Sequence, residues 1–155
     1  MFEKPTLSSL LLLITRLFIG FVFVYAGFIK AVEPAENFRG LLAEYTIIPY
    51  VLIPLVAFIM PWVELIAGLF LMLGFAARPS ALVLSFLSLG FMAVLLLSKW
   101  ILGFSPASCG CFGEGGIQLT VNQVLFLDLF NCLLGLKLFL TRSHLWSLDG
   151  FLSKR

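Results

Sequence analysis

Charge is what this 155-residue chain has least of: Asp, Glu, Lys and Arg make up 12% of it, and hydrophobic residues 61%. An ordinary soluble domain carries about 25% charged residues. The mean hydropathy is +1.11. A soluble domain of this size buries only about two-thirds of its surface, too little to hide so many apolar side chains, so the fitting solvent is lipid. The net charge of +2, with no basic cluster or aromatic-interleaved patch, gives no footprint for nucleic acid. The apolar runs are continuous, which excludes the alternating pattern of a membrane β-barrel. The first run is too long for a secretory leader and no small-residue cleavage site follows it, so it reads as retained. No inverted repeat with broken helices points to a transporter.

Four segments have the roughly 20 apolar residues that a spanning helix needs: residues 7–31, 51–75, 80–102 and 121–140. They predict an all-α membrane protein, a four-helix transmembrane bundle forming a single integral-membrane domain over residues 1–155. A tight turn around Ala76-Ala77-Arg78-Pro79 makes the second and third spans antiparallel neighbours. Between spans one and two, Pro34 suits the first turn of a helix, and Phe38, Leu41, Leu42 and Tyr45 recur at helical spacing. The opposite face carries Glu36, Asn37, Arg39 and Glu44. This predicts a short amphipathic helix, either lying in the interface or serving as a lid on the bundle.

Four spans put both termini and the Arg78 turn on one side, with Lys4, Arg78, Arg142, Lys154 and Arg155. Lys30, Arg39 and Lys99 fall on the other. The positive-inside rule then predicts a multi-pass protein with cytoplasmic termini. The connection from Gly103 to Thr120, rich in turn formers, is expected outside, which in a bacterial cell is the periplasm, where disulfides persist.

That connection holds Cys109-Gly110-Cys111, and three uses are open to the pair. A closed zinc site wants four ligands, but the chain offers three cysteines and one histidine, His144, which lies across the membrane. A structural brace over one intervening residue removes little chain entropy. A redox pair fits better, since so small a ring is strained and easily reduced, and Gly110 permits the backbone angles it needs. Cys132, in the fourth span, reads as packing.

Three ionisable residues sit at membrane depth, where charge is expensive and marks candidate function. Asp128 shares a helical face with Cys132, near Asn131 and Gly135, about two turns below the cysteine loop. It is either an acceptor for a thiol proton or the partner of Asn122, Gln123 or another polar group. Arg16 and Glu64 lie at similar calculated depths, roughly 13 Å or more above the inner ends of their helices, which predicts a buried ion pair. Pro61, one turn from Glu64, frees the Ala57 carbonyl, so the same place is a candidate niche for a quinone head group or a proton. Lys30 and Lys137, near helix ends, are expected to snorkel.

Tyr25-Ala26-Gly27-Phe28-Ile29-Lys30, Glu33-Pro34, Ile48-Pro49 and Pro61-Trp62-Val63-Glu64-Leu65 with Gly68 and Leu73-Gly74 resemble the DoxX-like membrane family. Ser108-Cys109-Gly110-Cys111-Phe112-Gly113 resembles its MauE (methylamine utilization) branch. The resemblance covers nearly the whole chain. It implies a four-helix bundle of the bacterial inner membrane, maturation of disulfide-rich periplasmic enzymes beside a thioredoxin-like partner, and, from other relatives, quinone-coupled sulfur oxidation. Cys109 and Cys111 match the branch's cysteine pair; no role is implied for Arg16, Glu64 or Asp128.

Together these readings lead to a membrane thiol–disulfide redox protein, possible as an oxidoreductase, with Cys109, Cys111 and Asp128 as its working residues. The rival is a non-catalytic scaffold or chaperone whose cysteines only brace a loop. Redox titration of the pair in membranes separates them: a working pair is reduced within the range of thioredoxin-like couples, whereas a brace stays oxidised in strong reductant.

Overall fold

The computed structural model describes residues 7–45, 48–101, 103, 112, 116–117 and 119–140. Cys109, Cys111 and His144 lie outside the described residues. Among the described residues five α-helices run α1 (Leu7–Val32), α2 (Ala35–Glu44), α3 (Ile53–Leu73), α4 (Ala77–Ile101) and α5 (Val121–Leu140), with a 3-10 turn at Tyr50–Leu52 leading into α3. All but α2 are long and apolar enough to cross a membrane. Even the 20 residues of α5 reach about 30 Å at 1.5 Å per residue, the thickness of a bilayer's hydrocarbon core. The protein is a four-helix transmembrane bundle.

Local chemistry sets the helix ends. Gly74 ends α3 with a left-handed φ of 71°, its N–H donating to the Leu71 carbonyl and that of Phe75 to Phe70. This is a Schellman stop, and glycine adopts it without a Cβ penalty. The turn therefore lies at Gly74–Ala76, slightly earlier than the expected Ala76–Pro79; Arg78 and Pro79 already belong to α4, where a first-turn proline is tolerated. Thr120 starts α5: the Gln123 side-chain oxygen accepts from the Thr120 backbone N–H and hydroxyl, each at 3.0 Å, a capping-box arrangement.

Around the bundle the order is α1, α3, α4, α5, with α5 returning to α1. Small residues make the seams. A Cβ on Gly27 would meet the Pro61 carbonyl oxygen and the Leu65 nitrogen at 2.7 Å, and one on Gly68 would meet the Gly20 carbonyl at 3.0 Å. Hence α1 and α3 touch backbone to backbone, as glycine allows between membrane helices. Because Gly20 sits by Gly68 while Gly27 sits by Pro61 and Leu65, the pair is antiparallel. Gly135 of α5 fits against Ala81 and Ser85 of α4 in the same manner. At one end Arg78 Nε donates to the Phe139 carbonyl at 3.0 Å; at the other Lys99 donates to Asn122 at 2.8 Å.

Polarity is inverted relative to a soluble protein. Phe21, Phe58, Phe86 and Phe126 are each more than 60% exposed, whereas Arg16, Lys30, Glu64, Ser88, Asp128 and Asn131 are buried. This is the distribution expected where lipid surrounds the bundle. One apolar cluster (Ile19, Phe23, Leu71, Leu84, Leu138) fills the half nearer the α3–α4 turn. A second (Tyr45, Leu95, Val121, Val124) fills the half nearer the start of α5. The polar layer lies between them. Helix α2 closes the second half as a lid, with Phe38 and Leu42 packed on Ile53 and Ala57 and Glu36 and Glu44 exposed.

The glycine seam yields a comparison. Gly27→Ala should destabilise the bundle by about 1–3 kcal/mol, as over-packing does. Gly90→Ala, with no heavy atom within 4 Å of the added carbon, should be neutral or slightly stabilising. Thermal unfolding of both variants in detergent checks it.

Candidate functional site

The buried polar layer is organised by one ion pair. Lys30 Nζ donates to both carboxylate oxygens of Glu64, at 2.9 and 2.8 Å, and the two side chains are 0% and 2% exposed. The Phe38 and Phe91 rings each lie 5.2 Å from the ammonium, close enough for cation–π attraction. Four helices thus meet at one nitrogen: α1 supplies it, α3 the counter-charge, α2 and α4 the rings.

The expected Arg16–Glu64 pair is not what forms. Its correction comes from register: Gly20 opposes Gly68, so Arg16 falls opposite Met72 near the end of α3, about eight residues or 12 Å from Glu64. Lys30 replaces it because side chains tilt toward the N-terminus of their helix. Near the α1 C-terminus, that tilt carries the ammonium inward to the level of Gly27 and Glu64. Snorkelling, expected for both lysines, describes the exposed Lys137 and not Lys30. Arg16 is itself buried, on the same face of α1 as Ile19, Gly20, Phe23, Gly27 and Lys30.

Beside Glu64 lies a cavity of about 30 Å³ whose wall includes Phe23, Phe91, Phe112, Asp128 and Asn131. Asp128 is 9% and Asn131 3% exposed. Asn122 and Gln123, named as possible partners of Asp128, are engaged by Lys99 and Thr120. The Asn131 side-chain oxygen has no hydrogen-bond partner among the described residues. A space this small holds water, whereas an apolar cavity that accepts a benzene ring is about 150 Å³. Glu64 lines this cavity and Arg16 does not.

Phe112 ties the cysteine loop to this layer. It follows Cys111 in the chain, is 8% exposed, and packs against Tyr25 with ring centres 6.0 Å apart. Gly116 lies directly against the Phe112 carbonyl, where a Cβ has no room. Cys132 is a partly buried free thiol. Sequence reasoning placed Asp128 and Glu64 correctly inside the bundle but missed Lys30, Phe38, Phe91 and Phe112. The signal available for Lys30 was its position on the glycine face of α1, seven residues on from Phe23 and three from Gly27.

Truncating one member of the ion pair leaves the other charge buried. Lys30→Met or Glu64→Gln alone should cost about 3–5 kcal/mol, and the double variant should regain most of that loss. Thermal or denaturant unfolding of all three variants closes the cycle.

The family model described as "Methylamine utilisation protein MauE" matches residues 8–141. "Methylamine utilization protein MauE" of Paracoccus denitrificans is 30% identical over 112 residues, 72% of this chain and 59% of that relative; the match thus spans less than two-thirds of the relative's length. No solved structure matches. The chain belongs to the MauE family.

Proposed function

We propose that this MauE-family member is a thiol–disulfide redox protein of the bacterial inner membrane, built as one integral-membrane domain, in which Cys109 and Cys111 exchange disulfides with a periplasmic thioredoxin-like protein. The observation that carries the proposal is the anchoring of Phe112. The residue directly after Cys111 is buried in the wall of the cavity that Asp128 also lines, so the cysteine motif ends beside a buried carboxylate inside the bundle. The small-ring strain of a Cys-Gly-Cys disulfide supports exchange over bracing.

In the oxidising direction, a partner thiolate attacks the Cys109–Cys111 disulfide and forms a mixed disulfide, releasing one cysteine of the pair as thiolate. The partner's second thiol then displaces the other cysteine. The partner ends oxidised, the pair ends as two thiols, and the two protons lost by the partner are gained by the pair. Asp128 holds a proton between these steps and returns it to sulfur. The reducing direction is the same sequence run backwards, and no step passes through quinone.

Orientation follows from charge. Lys30 is turned into the bundle, leaving Arg39 and Lys99 on the loop side against Lys4, Arg78, Arg142, Lys154 and Arg155 on the other. That imbalance supports cytoplasmic termini and a periplasmic cysteine loop. The relative's name supports methylamine utilisation as the setting; the cysteine pair is what suggests a part in maturing a periplasmic enzyme there. The Gly27-Lys30 and Glu64-Gly68 pieces support a place within the wider DoxX-like group.

A Cys111→Ser variant should accumulate a mixed disulfide through Cys109 that non-reducing gels resolve and mass spectrometry identifies. Absence of any captured partner, together with full complementation of a deletion strain by the double Cys→Ser protein, would leave the scaffold reading in its place.

A further inference from the structure

We propose that the cavity beside Glu64 is a water-binding site, anchored by Asn131, whose one or two water molecules join the Glu64 and Asp128 carboxylates into a single hydrogen-bonded network. Three observations carry this. The cavity measures about 30 Å³, and one water needs at least roughly 10–15 Å³ measured this way. The Asn131 side chain is 3% exposed and its oxygen has no protein partner among the described residues. A buried amide oxygen left so is costly unless something donates to it, and among the described residues the cavity wall offers it carboxylates rather than donors. Water is the donor that fits, and it needs two to four polar neighbours.

Those neighbours are present. Glu64 accepts one bond from Lys30 at each oxygen, and each carboxylate oxygen has capacity for a second. Asp128 lies in the same wall, and a carboxylate's four acceptor sites leave room for a water beside the partner it already has. A water donating one hydrogen to Asn131 and the other to a carboxylate therefore satisfies the orphaned amide. A second water spans to the other carboxylate. The Phe23, Phe91 and Phe112 rings in the same wall offer no competing strong bond.

The consequence is that Glu64 has a second role beside its structural one. A proton taken up at Asp128 is delocalised through water toward Glu64, whose negative charge Lys30 already offsets, and it returns by the same path with none consumed. This role deepens the thiol-exchange reading and rests on it; the water site does not. Asn131 is a positioning residue, acting through the water it holds.

Hydroxyl-radical labelling of the full chain in lipid nanodiscs, generated by X-ray pulses in ¹⁸O-water, reads the site directly. Phe23, 7% exposed and deep in the bundle, should be oxidised faster than Phe38, 3% exposed and outside the cavity. Asn131→Leu should lower Phe23 labelling about tenfold, as expected for loss of one hydrogen bond to a buried water, and Asn131→Asp, which keeps an acceptor oxygen, should retain it. Equal labelling of Phe23 and Phe38 in the unaltered protein overturns the proposal even if Asn131→Leu does not fold. Unchanged labelling in a folded Asn131→Leu protein overturns it as well. The labelling should persist in the Cys109→Ser/Cys111→Ser protein, so failure of the redox reading and failure of the water site are told apart.

Discussion

An ammonium and a carboxylate, both removed from water and set inside a bundle that lipid surrounds, govern how the helices of this protein meet. Neither Lys30 nor Glu64 is tolerable at that depth alone. Together they require α1 and α3 to sit in one register, and the rings of Phe38 and Phe91 that flank the ammonium require α2 and α4 to be in place too. The attraction itself adds little net stability, since desolvation of both charges opposes it. Its value is selective: any sliding of α1 along α3 strands two charges in hydrocarbon.

The glycine seam and the ion pair depend on each other. Gly27 and Gly68 bring the α1 and α3 backbones into contact, and only at that separation does a lysine side chain reach the opposite carboxylate with two short bonds. Motif pieces that look weak singly, Gly27-x-x-Lys30 and Glu64-x-x-x-Gly68, are thus two halves of one contact. The same inverted logic governs the exterior, where phenylalanines turn outward because they lose nothing in lipid.

Function is layered onto this frame. The polar layer that the ion pair anchors continues through the cavity to Asp128 and Asn131 on α5, and the buried ring of Phe112 brings the cysteine loop to its edge. The thiol–disulfide exchange proposed for Cys109 and Cys111 would draw on that layer for its proton. The lid helix α2 closes one side of that layer, with its charged residues Glu36 and Glu44 facing outward.

Composition and periodicity alone determined the four spans, the amphipathic α2, the tight α3–α4 connection and the burial of Glu64 and Asp128. Each follows from hydropathy or helical spacing, which are local properties of the chain. The pairing of charges was decided only by tertiary structure. Arg16 and Lys30 share one face of α1 about 21 Å apart, and both are inward-facing cations as far as spacing can say. The antiparallel register set by Gly20, Gly27 and Gly68 puts Lys30 beside Glu64, and the backward tilt of helical side chains completes the contact. Counting residues from helix ends assumes equal starting levels and straight side chains, and Glu64 met neither assumption. The cavity, too, is invisible in sequence, since it is the space left where α1, α3, α4, α5 and Phe112 fail to fill one another.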